Sequence, residues 1–293
     1  MGFKEKIHHL FNQEDLNFLL TNRLPRIWLT RFMGRFSKIE IPWVKDASIG
    51  IWKFFSDLDL SEAKKEHFTS MHDCFTRELK PGLRPINPSH RVLSSPVDAI
   101  VGAFGTIQGD QLFQAKGLNY RLEDLLGLEE NLKDWHGGYF VTLRLTSSMY
   151  HRFHAPYKGR VEKIRYFSGD TWNVNPIALK RVEKLFCKNE RAFIQYQLEE
   201  TSPLPPQKIA MVPVAAILVA SIHFNFLNVM FHLKYTGPNN MTCDSRFEKG
   251  QEMGRFEQGS TIILLTPPGW SLDSRLQNGS RIKMGESLLV WTD

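Results

Sequence analysis

The sequence predicts an α+β fold, with amphipathic helices at the N-terminus and a β-rich, mainly antiparallel core after them. Three observations predict it. Large apolar residues recur every four positions between residues 24 and 36, short apolar runs separated by turn residues fill the chain beyond residue 90, and no regular βαβ alternation is visible. The chain has 293 residues, 42% hydrophobic and 23% charged, an ordinary globular composition that excludes disorder, collagen-like repeats and a polytopic membrane protein. This length can bury a sizeable core without a disulfide or metal staple. Cys74, Cys187 and Cys243 agree, being scattered and without CxxC spacing, which points to a reducing compartment and no metal site. With 37 Lys+Arg against 31 Asp+Glu the net charge is +6, which calls for an acidic partner. There is no Lys/Arg block and no nucleic-acid-binding signature, so nucleic acid is set aside in favour of an anionic membrane surface or a phosphorylated metabolite.

The elements follow in order. Met1 to Gln13 is polar and charged and does not read as a signal peptide. From Glu14 to Leu79 the chain reads as helical. Leu24, Trp28, Phe32 and Phe36 form one stripe, widened by Leu29 and Met33, and Arg23, Arg26, Arg31 and Arg35 share the segment. A second aromatic cluster comprises Trp43, Ile51, Trp52, Phe54 and Phe55, and Ser61 is placed as the N-cap of a further helix ending near His67. Such stripes can pack on the protein's own core or lie in a membrane interface with arginine at the lipid headgroups. Lys80 to His90, with three prolines and a glycine, reads as an extended connection. It divides a helical region, residues 1–90, from a β-rich domain, residues 91–293. Strands are expected at Ala99 to Phe104, Tyr139 to Leu145, Arg191 to Tyr196, Val212 to Ile222 and Thr261 to Leu265. The run Ile209 to Phe226 is near membrane-span length, but Pro213, His223 and its β-branched content favour buried strands. Ser202 to Gln207 reads as a proline-rich surface loop, and Arg281 to Trp291 as a hairpin arm after an Asn278-Gly279 turn.

Phosphate-loop, dinucleotide, HExxH and GxSxG signatures are absent. Three features remain. Ser260 follows Gly259 at a loop-to-strand junction; a glycine there can adopt a strained backbone and leave its carbonyl open to the serine hydroxyl. His151 and His154 lie three apart after an expected strand, suited to packing or to acid/base work near neutral pH. Asp98 opens an apolar strand, either as a turn residue or as a carboxylate able to orient an imidazole.

At these residues the chain resembles phosphatidylserine decarboxylase of the bacterial membrane-bound type. The similar stretches are Phe75-Thr76-Arg77-Glu78-Leu79, Arg84-Pro85-Ile86, Gln114-Ala115-Lys116-Gly117 with Asn119-Tyr120, Tyr150 to Pro156, Asn189-Glu190-Arg191, Lys249 to Phe256 and Gly259-Ser260-Thr261. Gln258 stands where such families usually carry leucine, and Pro96-Val97 precede Asp98 where a small residue is common before the aspartate. The resemblance implies self-cleavage between Gly259 and Ser260: His154, backed by Asp98, activates Ser260, and the products are a β chain 1–259 and an α chain 260–293 that begins with a pyruvoyl cofactor made from Ser260. It further implies a Schiff base between that group and phosphatidylserine, loss of carbon dioxide to give phosphatidylethanolamine, and proton delivery by His151. The implied partners are phosphatidylserine in an anionic membrane and the paired α and β chains, as a heterodimer or a dimer of heterodimers. The implied location is peripheral, on the cytoplasmic side of the cell membrane. Alternatives are a pyruvoyl decarboxylase of another amino-group substrate, a non-catalytic lipid-surface homologue, and a serine hydrolase that keeps Ser260 intact in one chain.

Overall fold

The computed structural model describes residues 14–22, 25–115, 118–127, 131–201, 204–217, 221–257 and 260–292. Residues 1–13, Arg23, Leu24, Lys116, Gly117, Leu218 to Ala220, Gln258 and Gly259, on which parts of the sequence reading fall, lie outside the described residues.

Three helices come first: α1 (Glu14–Asn22), α2 (Arg26–Phe36) and α3 (Pro42–Phe55), followed by the short α4 (Met71–Phe75). Pro42 opens α3 at a position where a missing N–H costs nothing, and the Ser70 hydroxyl caps α4 by accepting from the Asp73 N–H at 3.1 Å. The stripe on α2 is real: Trp28 stacks on Phe32 and Phe32 on Phe36, with ring centroids 5.6 and 5.8 Å apart. The expected helix from Ser61 to His67 does not form. The Ser61 N–H is taken by the Asp59 carboxylate, while Lys64 donates to the Glu78 carbonyl and Lys80 to that of Glu62. Backbone groups that a helix would need are thus spent on strand-like pairing with residues 78–80.

The strands are β1 (Val92–Ser94), β2 (Ala99–Thr106), β3 (Gln111–Ala115), β4 (Leu118–Arg121), β5 (Tyr139–Leu145), β6 (Arg152–His154), β7 (Gly159–Phe167), β8 (Arg191–Leu198), β9 (Lys208–Ala215), β10 (Ser221–Phe224), β11 (Val229–His232), β12 (Asn240–Phe247), β13 (Glu252–Phe256), β14 (Ser260–Thr266), β15 (Trp270–Leu272), β16 (Arg281–Ile282) and β17 (Ser287–Trp291). Eight of them form one antiparallel sheet in the order β12-β7-β8-β9-β14-β5-β2-β16. A four-stranded sheet, β11-β10-β13-β6, and a three-stranded one, β1-β17-β15, complete the core together with the β3-β4 hairpin. The Arg281 to Trp291 tail is not one hairpin arm: β16 joins the large sheet beside β2, whereas β17 inserts between β1 and β15.

The central strands are covered on both faces, so they read as continuous apolar runs rather than as alternation. On β14, Ile262 and Leu264 enter a core shared with Phe153, Phe224 and Phe256 of the four-stranded sheet. Ile263 and Leu265 face a second core closed by α5 (Leu122–Leu126), α6 (Pro176–Leu179) and α7 (Leu185–Lys188). The edge strand β12 instead alternates exposed and half-buried positions, as a half-solvated strand should. The 209–226 run becomes β9 and β10. Pro213 is accommodated inside β9, where the ladder to β14 continues through it.

Two glycines test this packing. A Cβ on Gly254 would lie 2.2 Å from the His223 carbonyl oxygen and 2.6 Å from the Phe153 ring, whereas one on Gly50, inside α3, would meet nothing within 4 Å. Gly254→Ala is therefore expected to destabilise by about 2–3 kcal/mol and Gly50→Ala to stabilise by about 0.5–1 kcal/mol. Denaturant unfolding of both variants checks the opposite signs.

Candidate active site

Ser260 is the first residue of β14, paired with Leu145 of β5 on one side and Ala215 of β9 on the other, so it sits mid-sheet at a strand end. Side-chain alternation puts it on the same face as Ile262 and Leu264, the face covered by the sheet that carries β6 and β13. Its hydroxyl is fully buried and has no hydrogen-bond partner among the described residues. A buried hydroxyl left without a partner costs free energy unless a reaction or ligand uses it.

His154 ends β6, buried, with both ring nitrogens engaged. Nδ1 is 2.9 Å from the Gly250 carbonyl oxygen, which can only accept, so Nδ1 carries the proton. Nε2 then accepts from the Tyr150 hydroxyl at 3.0 Å. Burial raises the Tyr150 phenol above its usual range, keeping it a donor, and burial lowers His154 below the ordinary histidine value. The result is a neutral imidazole with its basic nitrogen at Nε2.

Asp98 lies alongside through the backbone, since the His154 N–H donates to the Pro96 carbonyl at 2.9 Å. Its carboxylate, however, is held by Arg84 through Nε at 2.8 Å and Nη2 at 2.5 Å, and by the Met284 N–H at 2.9 Å. Asp98 and His154 act on each other through the field rather than a hydrogen bond, and Glu252 contributes more strongly than Asp98 to raising His154. Glu252 is in register with His154 across β13 and β6 and is paired with Arg152 at 3.0 Å. A cleft of about 250 Å³, lined by Arg84, Tyr150, Glu252 and Met284, separates the Arg84–Asp98 pair from the Tyr150–His154 pair.

His151 is more deeply enclosed. Nδ1 donates to the Met149 carbonyl at 2.8 Å, Nε2 is buried without a partner among the described residues, and the ring lies 4.0 Å from that of Phe75. Burial, with the nearby Arg77 guanidinium, lowers its pKa from the ordinary 6.5 to about 3 despite the hydrogen bond to Met149. At neutral pH, Nε2 is therefore a bare acceptor. The Phe256 N–H donates to the His151 carbonyl at 2.9 Å, which sets His151 against Phe256, four residues upstream of Ser260 along the chain. Glu257 fixes the same segment from the other side: its buried carboxylate lies 3.0 Å from His72 Nε2 and 3.6 Å from Lys38 Nζ.

A cavity of about 360 Å³ opens at this strand end, lined by Arg144, Leu145 and Ala216 from the sheet and by Met33, Trp52 and Phe75 from the helices. It touches both register neighbourhoods of Ser260 and the ring that packs on His151. The structure thus brings His154 beside the Asp98 segment through Pro96 and His151 beside the strand that leads to Ser260, but the hydrogen bonds Ser260–His154 and His154–Asp98 are not formed among the described residues. Sequence reasoning did not single out Tyr150, Gly250 and Glu252, which hold the histidine, although all three lie in the family-like stretches. Arg144 carried no sequence signal at all.

A buried serine opening a doubly covered strand, and two buried neutral histidines on or next to a strand of the sheet that covers its face, offer a candidate nucleophile and candidate bases. Comparison with known proteins then gives the family. The family model described as phosphatidylserine decarboxylase matches residues 71–290, and a second, described as PSD, matches residues 16–51. The phosphatidylserine decarboxylase proenzyme of Aliivibrio fischeri is 34% identical over 287 residues, covering 93% of this chain and 96% of the relative. The proenzyme of Myxococcus xanthus is 35% identical over 284 residues (95% and 99%), and that of Shewanella sp. strain ANA-3 is 36% identical over 266 (86% and 88%). The chain belongs to the phosphatidylserine decarboxylase family.

The depressed His151 value makes a pH prediction. A histidine whose folded pKa lies below its unfolded value binds no proton in the native state while the unfolded chain does, so stability falls as pH drops below 6.5 and levels off near 3. His151 should contribute a slope approaching about 1.4 kcal/mol per pH unit within that window. Unfolding free energies of wild type and His151→Leu measured from pH 7 to 4 should show the shallower dependence in the variant.

Proposed function

We propose that this protein is a phosphatidylserine decarboxylase made as a self-cleaving proenzyme. The observation that carries the reading is the buried, unpartnered Ser260 hydroxyl at a strand end, in a chain matched along most of its length by proenzymes of that name. In the proposed maturation, His154 Nε2 takes the Ser260 proton once Tyr150 gives way, and the hydroxyl attacks the Gly259 carbonyl to give an ester. β-Elimination releases the Gly259 carboxylate and leaves dehydroalanine, which adds water and loses ammonia to become a pyruvoyl group at residue 260. Asp98 and Glu252 stabilise the imidazolium through the field, and Arg84 holds the Asp98 carboxylate in place.

The orphaned hydroxyl and the cavity beside it fit such a group at residue 260. A pyruvoyl group supplies the electron sink for the carbanion left when carbon dioxide departs, a role no ordinary side chain fills. His151 Nε2, unpartnered among the described residues, is the group proposed to pass a proton to the carbanion once substrate fills the site. Before substrate binds, burial and the nearby Arg77 charge keep it unprotonated.

The helices supply the surface. Trp28, Trp43, Ile51 and Phe55 are 64%, 74%, 60% and 59% exposed, an apolar display that a membrane interface would cover. Between α2 and α3 an apolar groove of about 520 Å³ shares Met33, Trp52 and Met71 with the cavity at Ser260, giving an acyl chain a path from bilayer to site. Arg31 and Arg35 are exposed for anionic headgroups, whereas Arg26 is spent internally, pairing with Asp170 at 2.6 Å and covering Trp172. Among the described residues no helix is long and apolar enough to cross a membrane, which fits peripheral attachment. Residues 71–84 also reach the catalytic core, through Phe75, Arg77 and Arg84.

Intact-mass analysis tests the chemistry: wild type is expected as two chains divided between Gly259 and Ser260, Ser260→Ala and His154→Ala as one. His151→Ala should divide normally yet lose at least about a hundredfold in turnover, the range typical of a lost acid/base group. One stable uncleaved wild-type chain would overturn the reading and favour a hydrolase or a silent homologue. A separate test concerns docking. Replacing Trp43, Ile51 and Phe55 by serine should reduce partitioning onto phosphatidylserine-containing vesicles at least tenfold while self-cleavage proceeds, with vesicle sedimentation as the measurement.

A further inference from the structure

Arg144 is the residue of the cavity that the chemistry above leaves unused. It lies on β5 in register with Thr261 of β14 and Ile100 of β2, one position from Leu145, the partner of Ser260. It lines the cavity with Ala216, Asn173 and Asn175, and its side chain has no hydrogen bond or ion pair among the described residues. Every comparable arginine nearby is paired: Arg84 with Asp98 and Glu62, Arg152 with Glu252, Arg191 with the carbonyls of Asp124 and Leu125. Arg144 is also desolvated, and burial alone pulls its pKa below the usual arginine value, with no acid to offset it. A half-buried cation without a counterion is costly, and the cost disappears when an anion enters the cavity. In the same register the Thr261 hydroxyl is fully buried and unpartnered, as is that of Thr142 two residues before Arg144.

We infer that Arg144 is the anion anchor of the substrate site and holds the phosphodiester of the lipid headgroup rather than its carboxylate. This rests on the decarboxylase reading. The substrate offers two anions, and physical chemistry separates them. A cation on the carboxylate would stabilise charge that vanishes as carbon dioxide forms, binding the ground state better than the transition state and slowing the reaction. A cation on the phosphodiester holds a charge that does not change, so it orients the amine toward residue 260 without opposing the chemistry. The planar guanidinium suits bidentate contact with phosphate oxygens. Arg144 shares its sheet face with Thr261, the face opposite Ser260, so the headgroup must wrap the strand end from Arg144 to residue 260, past Leu145, which also lines the cavity.

The test uses the Ser260→Ala chain, which cannot mature, and two soluble probes, glycerophosphoserine and glycerophosphoethanolamine, titrated by calorimetry. Arg144→Gln is expected to weaken both at least tenfold and in parallel, because both carry the phosphodiester, and Arg144→Lys to weaken both less. Loss of glycerophosphoserine binding alone would assign Arg144 to the carboxylate and overturn the inference, as would unchanged affinities or a wild-type cavity that binds neither probe. With Ser260 restored, Arg144→Gln should still divide into two chains and show a raised KM with a smaller change in kcat. A wild type that divides and decarboxylates while Arg144→Gln keeps its headgroup affinity would sink this inference alone. A wild type that does not divide would sink the reading beneath it.

Discussion

The arrangement depends on burying both faces of β14. A strand covered on two sides must be largely apolar; Thr266 at its end donates to the Tyr139 carbonyl, whereas Ser260 and Thr261 at its start have hydroxyls that find no partner among the described residues. Antiparallel neighbours on either side fix the backbone of residue 260, so its position is set by two hydrogen-bonded ladders rather than by a loop. Everything else at the site is built around that fixed point: the histidines come from the sheet that covers one face, the cavity from the strand ends, and the cavity's outer wall from the helices.

The same burial tunes the bases. His151 and His154 are held neutral by exclusion of water, and in each the partner of Nδ1 is a backbone carbonyl, which fixes the tautomer and leaves the lone pair on Nε2. The carboxylates act from a distance. Asp98 is tied to Arg84 and the Met284 amide, so its charge is kept close to the imidazole without direct contact, and Glu252 adds to the field from the adjacent strand. A site of this kind lowers the cost of a transient imidazolium while keeping the resting state uncharged.

The helices serve the catalytic centre as well as a surface. Phe75 packs on His151, Glu257 reaches His72 and Lys38 just before the Gly259-Ser260 pair, and the apolar groove between α2 and α3 runs into the cavity. Events at the helical face are thereby in direct contact with the residues that precede Ser260. Trp43 and Phe55 of the exposed set line the groove, which shares Met33, Trp52 and Met71 with the cavity.

The sequence by itself determined the class of fold and most of its strands, because periodicity of four and unbroken apolar runs are local signals that tertiary packing had no reason to override. It also carried Ser260, His151, His154 and Asp98 as candidates, through residue type and family-like context. Only the tertiary structure decided what these residues touch. That Asp98 meets Arg84 and not His154, that Tyr150 and Gly250 take the imidazole, and that Arg144 faces a cavity without a counterion are long-range facts with no local signature. The same reason explains the two departures: Ser61 looks like a helix cap until residues 78–80 claim the backbone, and the C-terminal arm looks like one hairpin until its two halves join different sheets. Local pattern fixes what a segment can be, and the hydrogen-bond partners brought by distant segments fix what it becomes.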